Sequence, residues 1–288
     1  MTAVHRPRQV EDGNDAPRGS EFSFDHADFE RVRELIYKKA GISLSAGKQA
    51  MVYSRLSRRL RETGHGSFGG YLQWLDQAQG LAAEQEWQAF INSLTTNLTS
   101  FFREEHHFPL LAAELALRKD RHTRIWCNAA STGEEPYSLA MTALEVQGAK
   151  ASVEILCSDI DTHVLASAER GVYAADARGL SAERLRGHFQ RGVGANGGSI
   201  RVKPELRRLV AFRALNLMDR RWSLGEPFDF VFCRNVMIYF DAPTQRAVLE
   251  RMHAVMRTGS LLFAGHSENF GESRDLFRLR GKTVYERL

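Results

Sequence analysis

RIWCNAASTGEEPYSLAMTALEVQ, residues 124–147, passes from an apolar run through a polar turn containing Gly133 into a helical pattern with Pro136 in its first turn. A short apolar run bounded by turn residues predicts a strand buried on both faces. A proline suits the first turn of a helix, because its missing N–H would have no partner there anyway. The same rhythm returns downstream. VEILCSDI (153–160) precedes THVLASAER (162–170), and FDFVFCRNV (228–236) precedes TQRAVLERMHAVM (244–256) and SLLFAG (260–265). Strands alternating with helices predict an α/β fold, a doubly wound and mostly parallel sheet with helices on both faces. Such a sheet binds its ligand at the carboxyl ends of the strands, where the strand order reverses.

Upstream the text is helical from residue 24 to about 88. DHADFERVRELIYKKAG (25–41) has helical apolar spacing, with Asp25 as a candidate cap and Gly41 as a stop. A second helix, about 48–62, puts Val52, Tyr53, Leu56 and Leu60 on one face. Lys48, Arg55, Arg58, Arg59 and Arg61 spread over the other, with no acid among them. Cations that forgo acidic partners at i, i+4 form either a solvated face or a docking face for an acidic partner. Between 179 and 214 the alternation lapses: SAERLRGHF (181–189) reads as a helix, and RGVGANGGSIRV (191–202) as a glycine-rich turn between short strands. The expected organisation is a disordered tail over 1–20, a helical domain over 21–92 and a linker with a connecting helix over 93–120. An α/β domain follows over 121–288, with a small β insertion at about 179–214.

Composition bounds the rest. With 288 residues, 43% hydrophobic and 26% charged, the chain has the make-up of an ordinary globular protein, and it contains no apolar run of the roughly 18–20 residues that a membrane span needs. The opening MTAVHRPRQVEDGNDAPRGS lacks an apolar signal core, so a cytoplasmic location is expected. Cys127, Cys157 and Cys233 each sit inside an apolar run, which predicts packed thiols and no redox or metal work. A net charge of +4 and a pI near 9.0 permit acidic partners, nucleic acid included, without requiring them. His106 and His107, as neighbours, are expected to splay apart on a helix and share no metal. GHSENF (265–270) offers a serine, a histidine and a glutamate too close in sequence for a catalytic triad, so it is read as a loop at the pocket rim.

Three polar clusters stand in apolar frames: NLTSFFRE (97–104), AASTGEEPYSLA (129–140) and FCRNVMIYF (232–240). Distant segments of this kind suggest one site carried on a rigid scaffold. Gly133 would let a ligand approach the backbone, and Glu134 could meet a cationic sulfonium or amino group. The first strand is followed by neither the GK[ST] of a phosphate loop nor the GxGxxG of a dinucleotide fold. Asp159, ending the second strand, could accept both hydroxyls of a ribose. Helix capping by Asp159 or Asp161 is the competing account. Tyr239 lies close enough to Asn235 along the chain to share its pocket, with Arg103 reaching it from the other side; the alternative is that Tyr239 caps a buried strand end and Arg103 pairs with Glu104 or Glu105.

With ILCSDID (155–161) and LLFAGHSENF (261–270), these clusters resemble the S-adenosylmethionine-dependent methyltransferases that esterify glutamates on bacterial chemotaxis receptors, the CheR family. The resemblance runs from about residue 20 to the C-terminus. The glycine-rich GxGxG of many other methyltransferases is missing, while the form present matches this family. The resemblance implies a Rossmann-like methyltransferase fold and S-adenosylmethionine as cofactor, leaving S-adenosylhomocysteine, without a metal. It implies that Asn97, Thr99 and Arg103 touch the cofactor from the joining segment and that Glu134 is its acidic contact. It further implies that Asp159 holds the ribose, that Asn216 and Leu217 lie beside the adenine, and that Arg234 and Asn235, in the loop after the fourth strand, also contact the cofactor. Arg103 and Tyr239 would surround the reacting carboxylate.

The family's substrates are receptor helices bearing acceptor glutamates, which would meet the basic face of Lys48, Arg55, Arg58 and Arg59. GVGANGG, with Gly192 and Gly194, resembles the loop of members that add a receptor's C-terminal peptide as an extra strand; a purely structural hairpin is the alternative. The resemblance thus implies a cytoplasmic enzyme recruited to membrane-bound receptor arrays, with no nucleic acid partner and no membrane insertion. A cofactor-sensing adaptor would lack Arg103, Tyr239 or the Asn97 cluster, and a nucleic-acid methyltransferase would carry a base-reading motif such as NPPY. Neither description fits the chain.

Overall fold

The computed structural model describes residues 21–288, so the tail expected over 1–20 lies outside the described residues. Two compact units emerge among the described residues: one running to Ile36 and resuming over Leu44–Leu94, the other made of Tyr37–Ser43 and Thr95–Leu288.

The first unit is helical, built from α1 (His26–Ala40, whose last turn falls in the second unit), α2 (Gln49–Thr63), α3 (Phe68–Gln77) and α4 (Leu81–Leu94). Asp25 and Asp28 cap α1 reciprocally, each carboxylate accepting the other's backbone N–H. Gly64, at φ 74°, ends α2 in the left-handed conformation that glycine adopts without strain. Val52, Leu56 and Leu60 are fully buried at helical spacing, and Phe24 packs on Phe68 with ring centroids 4.4 Å apart.

The cationic face of α2 proves to be partnered, contrary to the expectation of cations without acids. Arg58 Nε donates to Glu62 (2.7 Å), Arg59 pairs with Glu62 and with Glu86 of α4, Arg61 Nε reaches Glu21 (2.9 Å), and Arg55 Nη1 reaches the Ser93 carbonyl (3.4 Å). Glu62 lies one helical turn beyond Arg58 and Arg59, but Glu86 and Glu21 come from elsewhere in the chain, where helical-wheel reasoning does not look. Arg59 is thereby largely withdrawn from the surface, with 17% of its side chain exposed.

In the second unit the order is α5 (His107–Ala116), β1 (Thr123–Cys127), α6 (Glu134–Gln147), β2 (Val153–Asp159), α7 (Thr162–Arg170), β3 (Val172–Ala174), α8 (Ala182–His188), β4 (Phe189–Arg191) and β5 (Ser199–Val202). Then come α9 (Pro204–Arg207), β6 (Val210–Ala214), β7 (Phe228–Cys233), α10 (Ala242–Ala254), β8 (Met256–Ala264), β9 (Phe277–Gly281) and β10 (Val284–Arg287). Seven strands form one sheet in the order β6-β2-β1-β7-β8-β10-β9, parallel except for the pairings of β10. Ile125 stands between Ile155 and Phe230, and every residue of β1 and β7 is buried. Alternate residues feed two cores. Ile125, Cys127, Phe230 and Phe232 join the cluster with α5 and α6, while Trp126, Val231 and Cys233 join the one with α10. All three cysteines are free and buried, and burial pushes their thiols well up.

The β insertion is a three-stranded antiparallel sheet, β3-β5-β4. Its bounds differ from those expected. It begins at Val172, because β3 is only three residues long and offers no readable period, and VAFRA is not part of it. That segment is β6, paired in parallel with β2 from Ile155↔Val210 to Asp159↔Ala214 at the edge of the main sheet. Among the described residues no helix is long and apolar enough to cross a membrane.

Candidate active site

The strand order reverses between β1 and β7, and the turns after β1, β2 and β7 project from their carboxyl ends. After β1 the chain bends sharply, with Ser131 at φ 47° and Gly133 at φ 99°, to start α6. A Cβ on Gly133 would lie 2.6 Å from Tyr173 Oη and 2.9 Å from Ala168 Cβ. Close packing against α7 and β3 therefore requires a glycine here, independently of the ligand approach expected from the sequence. Tyr173 Oη also donates to the Thr132 carbonyl (2.8 Å), which fixes the turn from below.

Asp159 ties this turn to the next. Its Oδ2 accepts Ser131 N–H (2.8 Å) and its Oδ1 accepts Asp161 N–H (3.0 Å). Burial pushes its carboxyl up to about 6, although those backbone donors pull it down. Capping of α7 falls to Asp161, which accepts from His163 N–H and Val164 N–H. Thr95 Oγ1 (2.7 Å) and Asn97 Nδ2 (2.8 Å) both donate to the other oxygen of Asp161, and the Asn97 carbonyl accepts the Ser131 hydroxyl. Asn97 thus clasps the turns after β1 and β2 together. Glu134 accepts the Thr132 hydroxyl (2.6 Å), and burial raises its carboxyl. These two carboxyls, at the ends of neighbouring strands, suit a ligand that presents hydroxyl donors and positive charge.

Arg234, which the resemblance puts at the cofactor, has a side chain that is 1% exposed and committed to Glu135, to Glu104 at 3.5 Å and to the Arg103 carbonyl. It extends from the end of a fully buried strand, so only a partner inside the protein can satisfy it. Its effect is to pin the Asn97–Glu104 segment, where Phe102 and Glu104 both have positive φ, against the start of α6. Arg103 turns its own guanidinium onto the Leu98 carbonyl (2.8 Å), closing a small loop on which Leu98 is exposed. The paired-with-Glu104 alternative for Arg103 is therefore taken over by Arg234.

Asn235, at φ 59°, donates to Glu104 (3.3 Å), and Tyr239 closes a 3-10 turn with its carbonyl accepting Ser43 N–H (2.8 Å). Asn216 donates to the Lys39 carbonyl (2.7 Å) and accepts Met218 N–H, Leu217 is buried in the α10 core, and Thr99 is half-buried. The Gly192 backbone comes so close to Asn196 and Ser199 that a Cβ would collide with both, giving that glycine a reason within its own loop; Gly194 has φ 58° and open space around it.

His106 and His107 do not splay. Their ring centroids are 4.1 Å apart, because α5 begins only at His107, and with Glu104 their ligating atoms fall within 4.8 Å. Burial, with Arg234 and His106 nearby, depresses His107 to about 3. The fixed charge of Arg234 beside Glu104 disfavours a second cation there. Burial would raise Glu104, but the His266 N–H, Arg234 and Asn235 together hold its carboxyl low.

Sequence reasoning missed Glu135 and Tyr173, which hold site turns in place; it offered Asp161 only as a helix cap, which it is, and Glu268 only as part of a rim loop. Glu135 carried the one available signal: it is an acid at the first turn of a helix next to an acid already chosen, and 100° around that helix toward the sheet.

Comparison with known proteins places this architecture. Residues 27–95 match the all-alpha domain of CheR methyltransferase, and residues 97–286 match its SAM binding domain. A chemotaxis protein methyltransferase of Klebsiella aerogenes is 52% identical over 262 residues, 90% of this chain and 89% of that one. Chemotaxis protein methyltransferase 2 of Pseudomonas aeruginosa is 52% identical over 269 residues (92% and 94%), and the Escherichia coli chemotaxis protein methyltransferase is 50% identical over 261 residues (90% and 90%). Matches of this extent through both units show that the chain belongs to the CheR methyltransferase family, with the Rossmann-like fold of an S-adenosylmethionine-dependent methyltransferase.

Proposed function

We propose that the protein transfers the methyl group of S-adenosylmethionine to glutamate side chains of chemoreceptors, giving glutamate methyl esters and S-adenosylhomocysteine. The observation that carries this reading is the pair of carboxyls, Glu134 and Asp159, set at adjoining turns of the switch point on a chain of this family. The donor set fits the cofactor: Asp159 suits the ribose hydroxyls, Glu134 suits a cationic group, and Asn97, Thr99, Asn216 and Leu217 complete the proposed contacts. When bound, S-adenosylmethionine supplies a methyl carbon made electrophilic by its sulfonium.

The acceptor needs no general base, because a glutamate of ordinary pKa, about 4.3, is ionised near pH 7. Bringing a carboxylate onto a sulfonium cancels charge, so a water-poor pocket favours the transition state over the separated ions. Tight ion pairing of the acceptor would oppose the reaction. Arg103, already held by the Leu98 carbonyl, is therefore assigned to orient the carboxylate, with Tyr239 on its other side. Alignment of this kind is worth about 7–11 kcal/mol in favourable cases.

An acidic receptor helix is proposed to meet Lys48, Arg55 and Arg58, of which Lys48 and Arg58 are exposed. Arg59 supports this face from beneath, through Glu86. Such rim charges govern encounter rate and salt sensitivity more than final affinity. A receptor's C-terminal peptide is proposed to add to the small β3-β5-β4 sheet beside the Gly192–Gly194 turn, which would raise the local enzyme concentration at a receptor array.

The test incubates the protein with methyl-labelled S-adenosylmethionine and receptor cytoplasmic fragments. Label released as methanol by mild alkali is expected, with Arg103→Ala lowering its rate by roughly 10²-fold, the scale of losing substrate orientation. Fragments without the C-terminal tail should label more slowly. Alkali-stable label, or label on nucleic acid, would overturn the proposal.

A further inference from the structure

Glu268, in the loop after β8, is 5% exposed, and burial raises its carboxyl. All four hydrogen bonds it accepts come from backbone N–H groups. Oε1 takes Val236 (2.9 Å) and Met237 (2.8 Å), while Oε2 takes Asn235 (3.0 Å) and Gly265. Hiding a carboxylate without a cation partner costs free energy, and successive N–H groups converging on one anion are the usual compensation. Three of those donors belong to the turn after β7, the neighbouring parallel strand, and that turn carries Asn235 and Tyr239. Without an anion, the N–H groups of residues 235–237 would lack their partner, and the left-handed Asn235 would lose its restraint. Gly265 makes the approach possible: a Cβ there would lie 2.5 Å from Asn235 Nδ2, 2.8 Å from Asn235 N and 2.9 Å from Glu268 Oε2. Gly265 is not in a positive-φ conformation, so closeness alone selects glycine.

We propose that Glu268 is a positioning residue for methyl transfer, acting through the turn at residues 234–239 to hold Asn235 and Tyr239 in their working geometry before substrate arrives. This rests on the functional reading above. Preorganisation of this kind raises turnover without adding a contact to substrate, and a displacement of about 1 Å can cost roughly 10²-fold in rate.

Two variants approach the clamp from opposite sides. Glu268→Gln keeps the shape but turns an NH2 toward two of the four donors, and Gly265→Ala wedges a methyl group between Glu268 and Asn235. Val248→Ala, in the α10 core, serves as a destabilised control. For both clamp variants the expected result is a fall in kcat of about 10²-fold, with the dissociation constant for S-adenosylhomocysteine raised less than about threefold. Amide exchange at residues 235–237 should be faster in both, whereas Val248→Ala lowers Tm and leaves kcat and those amides unchanged. Wild-type protection of residues 235–237 in either clamp variant overturns the proposal whether or not turnover is measured. So does a kcat loss no larger than the loss of cofactor affinity. If the wild type itself fails to methylate receptor fragments while its amides respond to Glu268→Gln as expected, the functional reading falls and the clamp stands.

Discussion

Each of the two units buries an arginine against a glutamate, and the two pairs serve different ends. In the helical unit Arg59 of α2 meets Glu86 of α4, with the Tyr71 hydroxyl donating to the same carboxylate (2.7 Å). That trio joins regular helices whose packing would hold them near one another in any case. In the sheet unit Arg234 meets Glu135, Glu104 and the Arg103 carbonyl, and two of those partners lie on an irregular segment with positive φ at Phe102 and Glu104. Where backbone hydrogen bonding already fixes the geometry, a buried ion pair adds a modest increment. Where the backbone is strained and irregular, the pair determines whether the segment keeps its place.

The comparison breaks most visibly at Arg234. Replacing it with methionine leaves Glu135 and Glu104 buried without their cation, and losing one partner of a buried pair costs about 3–5 kcal/mol. Urea unfolding should show that loss, and turnover should fall further than stability predicts because residues 97–104 are released. Glu86→Gln gives the middle effect. Arg59 keeps Glu62 as a partner, and the Tyr71 hydroxyl keeps an acceptor, so about 1.5–3 kcal/mol is expected, with kcat at saturating substrate unchanged. Equal losses of turnover in the two variants would erase the distinction.

The smallest effect concerns Asp159, a carboxyl with backbone donors where the pairs above have a guanidinium. Its pKa in the free protein is raised to about 6, so the protonated form is favoured as pH falls through that value. Ribose hydroxyls donate to the ionised form, so binding should lower that pKa and release a proton. Affinity for S-adenosylhomocysteine should be flat above pH 7 and fall as pH drops below 6, by about tenfold per unit at most. Calorimetry in buffers of different ionisation enthalpy measures the proton directly; uptake in place of release would reverse the assignment. For folding the sign is opposite: a raised carboxyl contributes stability below its unfolded pKa and loses it as pH rises through 6.

The alternation of apolar strands with helices was legible because every residue of β1 and β7 is buried, which leaves continuous hydrophobic runs in the text. The polar segments at 97–104, 129–140 and 232–240 were legible as ends of such runs. What joins them was not. Arg234 and Glu135 are 99 residues apart, Glu268 acts through backbone N–H groups that any residue could supply, and Tyr173 explains Gly133 only once α7 has folded beside it. Helical spacing showed the cations of α2, but a partner such as Glu86, 27 residues beyond Arg59, leaves no trace in a local pattern. The β insertion was located approximately because glycine-rich turns announce it, while three-residue β3 does not.

Residues Tyr37–Ser43 are grouped with the sheet unit although they precede most of the helical one in sequence. Ser43 N–H caps the Tyr239 carbonyl, the Lys39 carbonyl receives Asn216, Tyr37 Oη donates to Asp241, and Gly41 leaves no room for a side chain beside Met218. A truncation starting at Thr95 would therefore strip the catalytic fragment of a seven-residue patch of its own surface. Chimeras that exchange the helical part between family members should graft around this patch and keep it with the half it completes.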